Sequence, residues 1–209
     1  MADAPGPRET APAWLSSVVE NGNEEELSMR RFIMTGAPGS GKTSILRALE
    51  NLGYAVVEEA VTDAIAAHHA QGHPEPWADP LFIDEIVQLQ SHRECGRVRH
   101  GAAVQVHDRS VVCTLALARW MDYPVTAALR EAVTRVTEGE LFDRRVFFVR
   151  PLGFCELTPA RRISYEDSLA FERVHETEYL RLGFELVDIP PGPVHERAAL
   201  IDAYLRSWA

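Results

Sequence analysis

Residues 36–43 of the chain read GAPGSGKT, which combines three glycines, a lysine and a hydroxyl side chain at the spacing GxxxxGK[ST]. Glycine lets the backbone turn so that successive N–H groups point inward at phosphate oxygens. A lysine at the position of Lys42 can bridge the β- and γ-phosphates, and the hydroxyl of Thr43 can ligate Mg²⁺. The run therefore predicts a phosphate-binding loop, or P-loop, that holds a nucleoside triphosphate with Mg²⁺.

The predicted loop lies between the two elements that the motif requires. An apolar, β-type run at Arg31–Thr35 precedes it, and an amphipathic helical pattern at Lys42–Asn51 follows it. The positive end of that helix would add to the binding of an anion. Because motif, strand and helix coincide, we reject a chance glycine-rich turn. The predicted nucleotide-binding residues are Gly36, Ala37, Pro38, Gly39, Ser40, Gly41, Lys42, Thr43 and Ser44.

A second polar group follows an apolar run at Ala103–His107. In a P-loop fold an acid at such a strand end commonly faces the metal beside the P-loop hydroxyl, so Asp108 is the predicted partner of Thr43 at Mg²⁺. Arg109 follows directly, and its planar guanidinium could pair with two oxygens of a transferring phosphate. The alternatives are an ordinary helix cap for Asp108 and a surface ion pair for Arg109.

Short β-branched or aromatic runs alternate with longer helical patterns from Arg31 onward, which is typical of βαβ units around a parallel sheet. The predicted strands are Arg31–Thr35, Tyr54–Val57, Ala103–His107, Arg145–Val149 and Glu185–Ile189. The predicted helices are Lys42–Asn51, Ala60–Ala70, Pro80–Arg97, Val111–Arg119, Val125–Thr137, Tyr165–Leu182 and Val194–Trp208. We therefore predict an α/β, three-layer P-loop NTPase fold, with a five-stranded parallel sheet in the order 2-3-1-4-5.

The composition of the chain argues against several classes of protein. With 209 residues, of which 46% are hydrophobic, the chain can bury one substantial core. A net charge of −10 argues against broad binding to nucleic acid or to an anionic membrane, so an anionic ligand needs a local basic site. Three cysteines without a paired short spacing favour a reducing compartment, and we find no leader peptide and no apolar run long enough for a membrane span. We expect a soluble, cytoplasmic protein.

Four parts of the chain together resemble a known family. They are GAPGSGKT, LGYAVVEEA at residues 52–60, VQVHDRS at residues 104–110, and an arginine-containing loop before a long helix. In this order the chain is similar to small bacterial P-loop AAA-domain ATPases related to nicotinamide riboside kinase, and more distantly to deoxyribonucleoside kinases. The resemblance runs from Arg31 to Leu205. It implies a P-loop kinase-like domain at residues 29–209 with a lid around residues 152–165, after a flexible extension at residues 1–28.

The resemblance also implies roles for individual residues. A glutamate after the second strand would take the acceptor proton or bind the acceptor hydroxyl, which leaves Glu58 and Glu59 as alternatives. The acid-arginine-serine turn after the third strand corresponds to residues 108–110, and the lid arginines correspond to Arg161 and Arg162. The predicted catalytic residues are thus Lys42, Glu58, Glu59, Arg109, Arg161 and Arg162. The glutamates could instead be ordinary helix N-terminal acids, and the lid arginines could form local ion pairs.

The segment between the second and third strands, with a short stretch after the fourth predicted helix, supplies candidates for an acceptor pocket. They are His68, His69, His73, Pro74, Pro76, Trp77, Phe82, Asp84, Gln90, Arg93, Trp120, Met121, Asp122 and Tyr123. Gln90 resembles the helix-borne glutamine with which nucleoside kinases read a base, although a lone glutamine is more often solvated. A zinc site at the three histidines is rejected, because adjacent helical histidines diverge by about 100° and no further ligand has suitable spacing.

These features favour an ATP- and Mg²⁺-dependent phosphotransferase that acts on a hydroxyl of a small molecule, nucleoside-like or a natural product. The alternative from a different class is a nucleotide-hydrolysing switch or partner-binding module without an acceptor. ATP is favoured over GTP because the chain has no NKxD-like motif. The chain also lacks the length for the helical lid domain of a ring-forming AAA+ motor. Whether it forms a homodimer is left open by the sequence.

Overall fold

The computed structural model describes residues 29–94, 96, 102–139, 141–155 and 163–208. The predicted extension at residues 1–28 lies outside the described residues. Among the described residues, no helix combines the length and the apolar character that crossing a membrane requires.

Five parallel strands form one sheet. They are β1 (Arg30–Thr35), β2 (Ala55–Val57), β3 (Val104–Asp108), β4 (Arg145–Val149) and β5 (Glu185–Ile189). Their order is β2-β3-β1-β4-β5, which confirms the predicted fold and strand order. In the β1–β3 pair, Arg30 lies opposite Val104 and Met34 lies opposite Asp108. This register brings the carboxyl ends of β1 and β3 to the same sheet edge, where open α/β folds bind their ligands.

Helices cover both faces of the sheet. Those described are α1 (Lys42–Asn51), α2 (Ala60–Ala70), α3 (Phe82–Glu94), α4 (Val111–Trp120), α5 (Ala127–Glu138), α6 (Tyr165–Arg181) and α7 (Val194–Trp208), with a 3₁₀ turn at Pro76–Ala78. Side chains of β1 alternate between the faces, as the two-residue period of a strand requires. Phe32 and Met34 pack with α1 and α7, whereas Ile33 packs with α4, α5 and α6. Both faces of β1 are therefore buried, as in a three-layer fold.

Two helix starts differ from the prediction because of local capping. Helix α3 begins at Phe82, and the side chain of Asp79 accepts a hydrogen bond from the Leu81 N–H at 2.9 Å. Helix α5 begins at Ala127, because the Thr126 hydroxyl accepts from the Leu129 N–H at 3.1 Å and caps the helix. Strand β3 is shifted by one residue relative to the prediction, since it begins at Val104 and Asp108 ends the strand itself.

Candidate active site

The P-loop turns tightly between β1 and α1, and its conformation depends on glycine. Gly36 has φ 138°, and a Cβ atom there would lie 2.2 Å from the Val149 carbonyl oxygen at the end of β4. Gly41, with φ 90°, precedes the first turn of α1. A side chain at either position would meet a strained backbone, and at position 36 it would also collide with β4. Steric constraints in this fold therefore explain why the motif has glycine at positions 36 and 41.

The side chain of Lys42 folds back onto the P-loop. Its ammonium donates hydrogen bonds to the carbonyl oxygens of Gly36 and Ala37 at 3.1 and 2.9 Å. Burial, together with the nearby positive charge of Arg109, lowers the pKa of Lys42 to about 8. Thr43 and Ser44 are exposed at the start of α1 and line the same cavity as Lys42. The loop therefore presents one cation and two hydroxyls together.

Asp108 is buried beside this loop. Burial raises the pKa of Asp108 to about 6, against the opposing attraction of Lys42. Its Oδ1 atom is buried and has no hydrogen-bond partner among the described residues. An unpartnered buried carboxylate oxygen is costly unless a cation or water binds it, so Asp108 fits a ligand of Mg²⁺, directly or through water. No group of three or more potential metal-binding side chains is found in the described part of the chain. A Mg²⁺ ion here would depend on nucleotide phosphates for further ligands.

Arg109 is held on two sides at the cavity wall. Its Nε lies 2.6 Å from Glu59 Oε1, and its Nη1 lies 3.1 Å from His175 Nε2. Burial, reinforced by the charge of Arg109, lowers the pKa of His175 to about 3, so this ring is neutral. Its Nδ1–H then donates to the Phe171 carbonyl at 2.9 Å, and its Nε2 accepts from Arg109. The guanidinium is thereby oriented by an anion and by a neutral acceptor.

The structure distinguishes the positions of Glu58 and Glu59. Glu59 lines the cavity, whereas Glu58 is exposed and is not among the lining residues. Arg93 donates to the carbonyl oxygens of Glu58 and Glu59 at 2.8 and 2.7 Å and forms an ion pair with Asp63. Burial raises the pKa of Glu59, but the charges of Arg109 and Lys42 outweigh this effect and hold it below its usual value. Glu59 is therefore an ionised carboxylate.

One cavity of about 680 Å³ joins the P-loop to an apolar chamber. This volume lies in the range of small-molecule binding sites. The apolar lining residues are Val61, Ile65, Trp77, Phe82, Ile86, Leu117, Trp120, Met121, Phe154, Ile163 and Phe171. A phosphate-binding loop and an apolar pocket thus share a single cavity.

Five of the predicted acceptor-side residues line this cavity, namely Trp77, Phe82, Gln90, Trp120 and Met121. The others, His68, His69, His73, Pro74, Pro76, Asp84, Arg93, Asp122 and Tyr123, are not among its lining residues. His68 contacts Glu85 at 2.6 Å and His69 contacts the Pro74 carbonyl at 3.0 Å. Gln90 is buried, and its amide donates to Glu94 Oε1 at 3.3 Å.

Sequence reasoning missed His175 and Arg197, and it placed Arg93 among the acceptor-pocket candidates rather than at the turn of Glu58 and Glu59. Arg197, on α7, donates to the Ser40 carbonyl of the P-loop at 2.7 Å and to the Arg150 carbonyl after β4 at 3.0 Å. Ser40 and Arg197 are 157 positions apart in the chain, so no local motif could reveal their contact. The predicted lid arginines Arg161 and Arg162 lie outside the described residues, and their roles stay predictions.

The fold is shared with known kinases. A deoxyadenosine kinase from M. mycoides matches with a TM-score of 0.59 and 14% identity, over 86% of this chain and all (100%) of that one. NadR protein in complex with NR matches with a TM-score of 0.62 and 12% identity, over 92% of this chain but 57% of the NadR chain. None of the curated proteins compared with this chain matches it significantly. A family model described as "AAA domain" matches residues 31–197, and the chain belongs to this family.

Proposed function

We propose that this protein is a kinase that transfers the γ-phosphoryl group of ATP to a hydroxyl group of a small molecule. One observation carries the proposal: a single cavity joins the P-loop to an apolar chamber, with Glu59 and Arg109 on its wall. A hydrolase or switch needs only space for water at the γ-phosphate, whereas a kinase needs a second pocket that orients an acceptor. The kinase folds of the structural relatives support the same class.

The P-loop residues would bind the triphosphate. The backbone N–H groups of residues 36–44 and the N-terminus of α1 would bind phosphate oxygens, and the Lys42 ammonium would leave the loop carbonyls to bridge the β- and γ-phosphates. The Thr43 hydroxyl and Asp108 would hold Mg²⁺. This ion, when bound with the nucleotide, neutralises charge on the β- and γ-phosphate oxygens.

Glu59 and Arg109 would act at the reacting atoms. The acceptor oxygen attacks the γ-phosphorus, the bond to the β–γ bridging oxygen breaks, and ADP leaves. The acceptor proton passes to the Glu59 carboxylate, which is ionised beside Arg109. Arg109 would donate hydrogen bonds to the equatorial oxygens as charge develops there. We expect the reaction to take place in the cytoplasm.

Acceptor-dependent formation of ADP tests this function. Purified protein is incubated with ATP, Mg²⁺ and a wide panel of hydroxylated compounds, and Glu59→Gln and Lys42→Ala serve as variants. Glu59→Gln is expected to lower kcat by about 10²- to 10⁴-fold with ATP binding retained, because a general base is removed. Lys42→Ala is expected to weaken ATP binding. ADP formation that no acceptor stimulates would favour the ATPase or switch alternative.

A further inference from the structure

Aromatic and aliphatic side chains from separate elements build the acceptor end of the cavity. Trp77 comes from the 3₁₀ turn, Phe82 and Ile86 come from α3, and Trp120 and Phe171 come from α4 and α6. The ring centroids of Trp120 and Phe171 lie 5.6 Å apart. Flat apolar walls of this kind favour a ligand with a flat apolar body, because burial of apolar surface drives the contact.

Most of the charged side chains that line the cavity lie at its P-loop end. Lys42, Glu59 and Arg109 are at the P-loop end, and Arg109 is bound by Glu59 and His175. The remaining charged lining residue in the described part of the chain is Asp167, which accepts a hydrogen bond from Ser164 at 2.7 Å. Among the described residues, the cations that line the cavity therefore lie at its P-loop end.

Hydrogen-bonding capacity at the apolar end is also small. Gln90, Ser110 and Thr114 supply the amide and hydroxyl groups that line the cavity from α3 and the start of α4. The Gln90 amide donates to Glu94, while the Ser110 hydroxyl accepts from the Val112 N–H and contacts Tyr179. These few polar groups lie among eleven apolar lining residues, so most of an acceptor's surface would meet apolar side chains.

Phe154 supplies an independent observation at the cavity rim. Its side chain lines the cavity, yet Phe154 is 59% exposed. An exposed phenyl ring on the cavity wall gains free energy when a ligand covers it. An apolar acceptor that reaches this ring would bury both surfaces.

We infer that the acceptor is an alcohol with a largely apolar, aromatic-sized body that lies between the tryptophans and Phe171 and contacts Phe154. The inference rests on the proposed kinase function, because it assigns the substrate class of the same site. The hydroxyl of this alcohol lies toward Glu59 and the P-loop, and its apolar body lies between α3, α4 and α6.

A matched set of acceptors tests the inference. Benzyl alcohol and 2-naphthaleneethanol are apolar aromatic alcohols of two sizes, and thymidine is a nucleoside with a polar base and sugar. We expect kcat/KM for the aromatic alcohols to exceed that for thymidine by about tenfold or more, on the scale of burying one aromatic group. Preference for thymidine would overturn the inference and leave the kinase function standing.

Phe154→Ser provides the test within the chain, because an exposed side chain can be replaced with little risk to folding. The dissociation constant of 2-naphthaleneethanol, measured by equilibrium dialysis, is expected to rise about tenfold in this variant with ATP affinity unchanged. Leu180→Ser is the matched control, since Leu180 is 55% exposed on α6 and is not among the cavity-lining residues. Phe154-dependent binding, together with no acceptor-dependent ADP formation by any compound of the panel, would support the apolar site and refute the kinase function. Binding that Phe154→Ser does not weaken would refute the inference.

Discussion

At the scale of single residues, Arg109 is the most constrained member of the site. Its φ of 72° lies in the left-handed region that few non-glycine residues adopt. Such a conformation costs on the order of 1 kcal/mol and persists where surrounding contacts over-determine it. The Arg109 N–H donates to the Met34 carbonyl at 2.9 Å, and its guanidinium contacts Glu59 and His175. These contacts hold Arg109 at the cavity wall directly after β3.

His175 is predicted to act as a positioning residue for Arg109. His175→Leu removes the acceptor of Arg109 Nη1, and we expect kcat to fall about 10- to 100-fold, which corresponds to a lost hydrogen bond to a charged group. His175→Gln retains a side-chain acceptor and should restore part of the rate. Because the pKa of His175 is about 3, the wild-type rate should show no titration of this ring between pH 5 and 9. The measurements are kcat and KM as functions of pH. A similar loss in both variants would contradict this role.

At the scale of elements, α7 supports the P-loop from the opposite end of the chain. Arg197 extends from its first turn and donates to carbonyl groups of the P-loop and of the segment after β4. The guanidinium also limits space at Gly41, where a Cβ atom would lie 3.2 Å from Arg197 Nη1. The conformation of the P-loop therefore depends on a helix that the motif does not contain.

Replacing Arg197 should loosen this support. We expect Arg197→Met to reduce the free energy of unfolding by about 1–3 kcal/mol, because buried carbonyl groups lose a charged donor, and to weaken ATP binding. Arg206→Met, on the same helix, is the matched control, since the exposed Arg206 guanidinium in its ion pair with Asp202 should contribute little to stability. Urea unfolding and ATP titration measure the two effects. Equal effects of the two substitutions would refute a specific link between α7 and the P-loop.

At the scale of the whole molecule, buried ionisable groups make the free energy of unfolding depend on pH. Glu94 is 1% exposed, and its Oε1 accepts from the Val111 N–H at 3.2 Å. Burial raises the pKa of Glu94 from 4.5 to about 7. Between these values the folded protein retains a proton that the unfolded chain releases. The contribution of Glu94 to stability is therefore present below pH 4.5 and is lost as the pH rises through about 7.

Glu94→Gln should remove this pH dependence, because the amide cannot ionise. The free energy of unfolding of the variant relative to wild type is expected to increase by roughly 1–3 kcal/mol between pH 5 and pH 8. Urea unfolding across this range measures the difference. Glu131→Gln, at an exposed position on α5, is the control. Its free energy of unfolding should change with pH in the same way as that of wild type. If the free energy of unfolding of Glu94→Gln also changes with pH as that of wild type does, the carboxyl group of Glu94 is not the cause of the pH dependence.

The sequence by itself determined the fold and the phosphate-binding part of the site. The GAPGSGKT motif is local, and the alternation of strands and helices around it predicts one parallel sheet. Once Asp108 ends a strand beside β1, the register of the sheet brings it near the P-loop. These features depend on short sequence separations and on backbone geometry, which residue patterns specify directly.

Only the tertiary structure decided which side chains surround that loop. Glu59 rather than Glu58 lines the cavity, in a turn that Arg93 contacts from 34 positions away. His175 meets Arg109 across 66 positions, and Arg197 meets Ser40 across 157. The apolar chamber likewise combines the 3₁₀ turn with α3, α4 and α6. Such contacts depend on how helices pack against the sheet, and packing depends on the whole core rather than on any local pattern.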